Sequence, residues 1–316
     1  MLQNMSTVDN EDSISICANC GDEGSNVTNT CNKCKMVKYC NAACKKKHRH
    51  KHKKDCEEHV RLAAEHAAKL HDERLFKQPP PNEDCPICFL MIPSLHPTGS
   101  SYYGCCGKVI CSGCVYAPVY DNQRNIVAEK NCPFCRTPRS TSNEEMIKRY
   151  KKLMERDDPI AIYNVGCNYQ QGAYGFPQDY TKALQHWHRA GALGYSKAYT
   201  NVAVAYQYGT GVEVDKKKAV HYFELSAMGG NAQARYHLGY NETRAGNVDK
   251  ALRHYMIAVR SGLSESLETI KDMYLHGDVS KEDYSKALQL YQLYLGEIKS
   301  PQRDKAAAAD EDYRYY

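Results

Sequence analysis

Cysteine pairs held two residues apart constrain this chain more than any other feature. They occur at Cys17 and Cys20, Cys31 and Cys34, Cys85 and Cys88, Cys111 and Cys114, and Cys132 and Cys135. Fifteen of the sixteen cysteines lie between Cys17 and Cys135, and Cys167 alone lies beyond. In an exported chain such density would read as a disulfide framework, whereas in a reducing compartment it reads as metal binding. The segment Met1 to Ser15 is polar and acidic, without the apolar core of a secretory signal. No run approaches the roughly 18 apolar residues of a membrane-spanning helix. The expectation is therefore a soluble intracellular protein, of cytoplasm or nucleus, whose cofactor is zinc.

The first module spans Cys17 to Cys56. After the pairs at Cys17/Cys20 and Cys31/Cys34 come Cys40 and Cys44, then His52 and Cys56, each pair separated by three residues. A Cys-x-x-Cys turn brings two thiolates to one metal, and an i, i+4 pair does so from one helical face. Eight ligands make two closed tetrahedral sites, which are structural and activate no water. His48 and His50 are alternatives to His52, which has the better spacing to Cys56.

The run CANC…CNKCKMVKYCNAACKKKHRHKHKKDC resembles the MYND zinc finger. The resemblance implies that Cys17, Cys20, Cys40 and Cys44 hold one zinc, and Cys31, Cys34, His52 and Cys56 the other. It also implies binding of short proline-rich peptides. Two positions depart from the family: Lys45 stands where Gln is usual and Arg49 where Trp is usual.

Seven Lys or Arg residues lie between Lys45 and Lys54. The run carries no interleaved aromatic for base stacking, and the net charge is only +5. A solvated helical face is the reading, and nucleic acid is not an expected partner. Residues 57–78 are rich in strong helix formers and predict a linker helix, stopped by Pro79, Pro80 and Pro81.

Eight more cysteines follow: Cys85, Cys88, Cys105, Cys106, Cys111, Cys114, Cys132 and Cys135. The run CPICFL…CCGKVICSGC…CPFCRTP looks like an all-cysteine RING finger. The resemblance implies a cross-brace in which Cys85, Cys88, Cys111 and Cys114 share one zinc. Cys105, Cys106, Cys132 and Cys135 would share the other, for four zinc ions in all, two per module. A histidine common in that family is absent; Lys108 lies near its place and has no lone pair to offer, and His96 is a fallback ligand. RING fingers hold a ubiquitin-conjugating enzyme, and its ubiquitin thioester, in a reactive conformation. By resemblance, Ile87, Pro133 and Arg136 would contact that enzyme, with Tyr116 and Tyr120 as candidates for the aromatic of the central helix.

From about residue 155 the chain repeats. Lys182-Ala183, Lys218-Ala219, Lys250-Ala251 and Lys286-Ala287 recur at steps of 36, 32 and 36 residues. An aromatic follows each Ala four residues later: Trp187, Phe223, Tyr255 and Tyr291. Such a period means stacked helix pairs, with Gly194, Gly230 and Gly262 closing units. The residues resemble Sel-one-like tetratricopeptide repeats, which implies a scaffold for partner proteins.

The expected architecture is thus two small zinc-stabilised modules, MYND and RING-like cross-brace, followed by an all-α helical-repeat solenoid. Residues 1–16 are expected disordered, 17–56 the first finger, 57–78 a linker helix and 79–84 a Pro-rich linker. Residues 85–136 are the second finger, 155–298 the repeats and 299–316 a disordered tail. No phosphate-binding glycine loop or nucleophile motif is present. The functional expectation is a RING-type ubiquitin ligase or ligase component whose repeats and MYND finger bind substrate, or else a non-enzymatic scaffold.

Overall fold

The computed structural model describes residues 15–24, 27–93, 99–120, 125–126 and 131–315. They divide into two compact units, one ending at Arg74 and the other beginning at Leu75.

In the first unit, β1 (Asn29–Thr30) pairs antiparallel with β2 (Lys38–Tyr39), and α1 (Ala42–Leu75) follows. Ile16 bridges to Glu23, so the ordered finger begins before residue 17. Its core is small: Cys17, Val27 and Tyr39. The separate linker helix expected over 57–78 is corrected. No Gly or Pro interrupts the chain after Cys56, so the finger's last helix runs on to Leu75 as one helix of 34 residues. Every residue from 57 to 71 is exposed, and no packed face supports that stretch. Propensity and i, i+4 ion pairs such as Arg61–Glu65 at 2.8 Å sustain it.

In the second unit, β3 (Ser100–Tyr103) pairs antiparallel with β4 (Lys108–Cys111), and α2 (Ser112–Tyr116) follows directly. Ile92, Ile110 and Val115 join Cys85, Cys111, Cys114 and Cys132 in its core. Next comes α3 (Asn143–Met154), capped by Ser142. Four helix pairs then stack: α4 (Pro159–Gln171) with α5 (Tyr180–Ala192), and α6 (Ser196–Tyr208) with α7 (Lys216–Met228). After these, α8 (Ala232–Arg244) pairs with α9 (Val248–Arg260), and α10 (Ser264–Leu275) with α11 (Lys281–Ile298).

The repeated residues explain the stacking. Ala183, Ala219, Ala251 and Ala287 are buried, so neighbouring helices approach closely, and Trp187, Phe223 and Tyr255 fill the space one turn later. Asp158, Asp179, Asp215, Asn231 and Ser280 accept the N–H three residues on and start their helices. Gly194, Gly230 and Gly262 have φ of 97°, 92° and 94°, so the turn between pairs needs a residue without Cβ.

Two segments differ from expectation. The Pro-rich linker is docked on the repeats: Leu75 is buried with Phe223 and Leu238, and Phe76 lies 4.6 Å from the His254 ring. Pro79, Pro80 and Pro81 then border a cavity of about 700 Å³ with Met256, Leu290 and Tyr294. The tail expected to be disordered forms α12 (Pro301–Ala309) and a 3-10 turn at Glu311–Tyr313. Ser300 caps it and Pro301 occupies its first turn, and α12 packs against α2, which supplies the buried face a short helix needs. Residues 1–14 and 316 lie outside the described residues.

Candidate metal centres

Four Cys-x-x-Cys pairs turn alike. The residue after the second cysteine has a left-handed backbone: Gly21 at φ 79°, Lys35 at 60°, Phe89 at 57° and Arg136 at 62°. Its N–H donates back to the first cysteine's carbonyl, on Cys17, Cys31, Cys85 and Cys132, at 2.9, 3.1, 2.9 and 2.9 Å. This loop carries both thiols to one side. Three of these residues are not glycine, and each left-handed side chain costs about 1 kcal/mol. The fifth pair is made differently, for Cys111 precedes α2 as its N-cap and Cys114 sits in its first turn.

These turns bring sixteen ligand atoms into four clusters. They are Cys17, Cys20, Cys40 and Cys44; Cys31, Cys34, His52 and Cys56; Cys85, Cys88, Cys111 and Cys114; and Cys105, Cys106, Cys132 and Cys135. Within each, the ligand atoms lie within 4.8 Å of one another. None of the sixteen cysteines is joined in a disulfide.

The dimensions fit zinc. Four thiolates about 2.3 Å from one ion must be about 3.8 Å apart, whereas a disulfide would bring two sulfurs to about 2.0 Å. The Sγ separations are 3.6 Å for Cys20–Cys40 and 3.6 Å for Cys31–Cys56. In the second module they are 3.7 Å for Cys88–Cys111 and 3.8 Å for Cys106–Cys132. His52 Nε2 lies 3.2 Å from Cys34 Sγ, so His52 is the histidine among these thiols. His48 turns its Nδ1 to Tyr39 Oη at 3.2 Å, and His50 joins no cluster. His96 lies outside the described residues.

Electrostatics points the same way. Burial raises the Cys17 thiol, but backbone amides of Cys20, Cys40 and Asn19 outweigh it and bring it down to about 6. Burial likewise opposes, and the Cys34 and Lys33 amides overcome it, to hold Cys31 at about 6. Neighbouring thiols go the other way: burial and then the Cys31 thiol push Cys56 up to about 11. Four thiols this close cannot all ionise without a cation among them, and amides already aimed at sulfur prepare the anionic form.

The other residues singled out from sequence are dispersed. Ile87 is 37% exposed on the turn of one cluster. Pro133 is half-buried and Arg136 exposed, both on the turn of another cluster. Tyr116 is buried and stacks 4.6 Å from Tyr120, with Tyr313 edge-on at 5.3 Å, so the aromatics of the central helix face the C-terminal segment. Lys108 is exposed on β4. Sequence reading missed Phe89 and Phe134, which are 76% and 45% exposed on those same turns. An aromatic inside or just after a Cys-x-x-Cys pair, where both inward positions are already taken by sulfur, is the signal that marks them. Lys45 bonds Thr30 O at 2.6 Å and Asn32 Oδ1 at 2.7 Å, so it ties α1 to the finger rather than facing solvent alone.

Comparison with known proteins bears on the first cysteine module and the repeats. A family model of the MYND finger matches residues 17–56, and one of the Sel1 repeat matches residues 159–195, 196–231 and 272–293. The chain carries a MYND finger and Sel1 repeats. It is 30% identical over 125 residues to Chitin synthase regulatory factor 4 of Schizosaccharomyces pombe, covering 39% of this chain and 20% of that one. It is 31% identical over 134 residues to the ERAD-associated E3 ubiquitin-protein ligase component HRD3B of Arabidopsis thaliana, covering 41% and 20%. The chain thus spans about a fifth of the length of these curated relatives. Among solved structures, a Sel1 repeat protein from Oxalobacter formigenes is 29% identical with a TM-score of 0.41, covering 52% of this chain and 64% of that one. The Escherichia coli antigen c5321, with an SLR fold, is 24% identical with a TM-score of 0.42, covering 56% and 42%. A cysteine-rich zinc-binding region therefore precedes a Sel1 repeat solenoid, a combination suited to protein–protein interaction. Among the described residues, no helix is long and apolar enough to cross a membrane.

Proposed function

We propose that this chain is a ubiquitin-ligase component built on a protein-interaction scaffold. In this reading the second cysteine module acts as a RING-type centre, and the MYND finger and repeats bind substrate proteins or proline-rich peptides. The observation that carries it is the interleaving of two four-thiol clusters across one module. The first and third cysteine pairs meet, as do the second and fourth, which is a cross-brace. Each cluster holds one zinc, four per chain, and the ions serve structure alone because every position is filled by protein. Such thiolate sites persist in a reducing compartment, which favours the cytoplasm or nucleus.

The chemistry asked of the module is positioning. A cross-brace holds its loops rigidly, and Ile87, Phe89 and Phe134 stand exposed where folding gains nothing from exposing them. Ile87 and Pro133 would seat the conjugating enzyme, and the Arg136 guanidinium would hold its thioester-linked ubiquitin in a reactive orientation. The name of the Arabidopsis relative, a ligase component, supports this assignment to the pathway.

Thioester discharge tests it. The zinc-loaded protein is added to a panel of ubiquitin-charged conjugating enzymes, and transfer to free lysine is followed. Acceleration that Ile87→Ala and Arg136→Ala each weaken by about tenfold or more is expected. No acceleration across the panel would leave the non-enzymatic scaffold, which the Sel1 repeats and MYND finger favour by themselves.

A further inference from the structure

Arg303 is the largest departure from what an exposed tail would show. It comes from α12, is fully buried, and projects into the second cysteine module more than 200 residues away in sequence. Its Nη1 donates to Met91 O at 2.8 Å and to Ile298 O at 2.7 Å. Its Nη2 donates to Leu90 O at 3.3 Å and reaches Cys88 Sγ at 3.9 Å. The guanidinium also interacts with Cys111, so it faces two of the four thiols of the Cys85, Cys88, Cys111 and Cys114 cluster. Carbonyls accept from both Nη groups, but its buried Nε has no hydrogen-bond partner, none of the carbonyls cancels its charge, and among the described residues no carboxylate pairs with it.

A buried, uncompensated cation is costly. A divalent zinc held by four thiolates has the opposite problem, a net charge of about −2 in a buried site. The module is shaped to join them. A Cβ at Gly113 would lie 3.0 Å from Arg303 Cγ and 3.0 Å from its backbone nitrogen, so only glycine lets α12 come this close. Gln302 Nε2 fastens the contact to Gly113 O at 3.1 Å, and Tyr313 closes on Tyr116.

We propose that Arg303 is a positioning residue for the zinc at Cys85, Cys88, Cys111 and Cys114, neutralising its thiolates, so that zinc retention there and docking of the C-terminal segment stabilise each other. This rests on the zinc reading of that cluster. Partners placed just outside a metal's ligands typically govern affinity by about 10- to 100-fold.

The test uses the full chain. Native mass spectrometry first counts zinc in the wild type; fewer than four ions would defeat the zinc reading itself, an outcome distinct from any change in release rate. Zinc transfer to a chromogenic chelator is then timed for the wild type, Arg303→Met, Arg303→Lys and Gln302→Ala. Arg303→Met keeps an apolar stem and loses the charge, and it is expected to release one zinc at least tenfold faster than wild type. Arg303→Lys should recover part of that retention, and Gln302→Ala, which loosens the docking but keeps the charge, should release zinc faster than wild type by a smaller factor. Wild-type release from Arg303→Met, folded by circular dichroism, overturns the proposal. Should that variant fail to fold, amide exchange in the wild type decides. Removal of zinc should speed exchange across residues 301–309 at least tenfold, and unchanged protection there overturns the proposal equally.

Discussion

The MYND finger and the second cysteine module gather eight ligands each by the same interleaving, yet they are supported differently. The finger has three core residues of its own, Cys17, Val27 and Tyr39, and one of these is a ligand. The second module adds Ile92, Ile110 and Val115, and it leans on its surroundings. Tyr102 donates to Asp158 Oδ1 at 3.0 Å, linking β3 to the cap of the first repeat helix, and stacks 6.1 Å from Tyr150. On its other side α12 closes over α2. A module with so little apolar core depends on metal for its fold, and one wedged among helices shares that dependence with its neighbours.

The contrast can be broken most severely at the ligands. Cys34→Ala removes one thiolate from the finger, and Cys88→Ala removes one from the second module. A structural zinc contributes on the order of 10 kcal/mol of apparent binding free energy, so each module should unfold. The expected difference is in reach: Cys34→Ala leaves amide exchange from residue 75 onward unchanged, while Cys88→Ala also loosens residues 301–315. Equal reach for the two would contradict the contrast.

A smaller effect isolates the docking. Burial, and next the charge of Asp158, raise the Tyr102 hydroxyl well above its usual range, so it stays protonated and donates. Tyr102→Phe deletes that bond to a carboxylate and should cost about 2 kcal/mol, read as a lower denaturant midpoint for the second unit with zinc content intact. An unchanged midpoint would mean the module is not braced by the repeats. The smallest expected effect lies in the finger, where Lys45→Ala removes two hydrogen bonds and should cost about 1 kcal/mol. Proton NMR of the finger's amides during titration with a chelator would show it as earlier unfolding.

Much of this was legible because the signals are local. Two thiols two residues apart dictate a turn, and a Lys-Ala step followed by an aromatic one helical turn later dictates paired helices. The run-on of α1 could have been read as well, since nothing between Cys56 and Leu75 stops a helix. Even α12 has a local signature, Ser300 then Pro301 then an alanine run, but its amphipathic pattern is weak and its binding face is made by residues far away. Arg303 shows why periodicity fails there: an arginine in an Ala-rich helix reads as solvent-facing, and only the tertiary neighbours Met91, Leu90 and Gly113 make it buried. The left-handed turns at Lys35, Phe89 and Arg136 were hidden for a similar reason, because they are imposed by clustering thiols rather than chosen by the residue.

The most direct measurement of the central claim is zinc stoichiometry of the intact chain by native mass spectrometry, with chelator-driven loss followed in time. Four zinc ions per chain are expected, with the ion at Cys85, Cys88, Cys111 and Cys114, three of whose ligands are buried, leaving last. Fewer than four ions per chain, or loss of the ion at Cys85, Cys88, Cys111 and Cys114 before those of the finger, would contradict it.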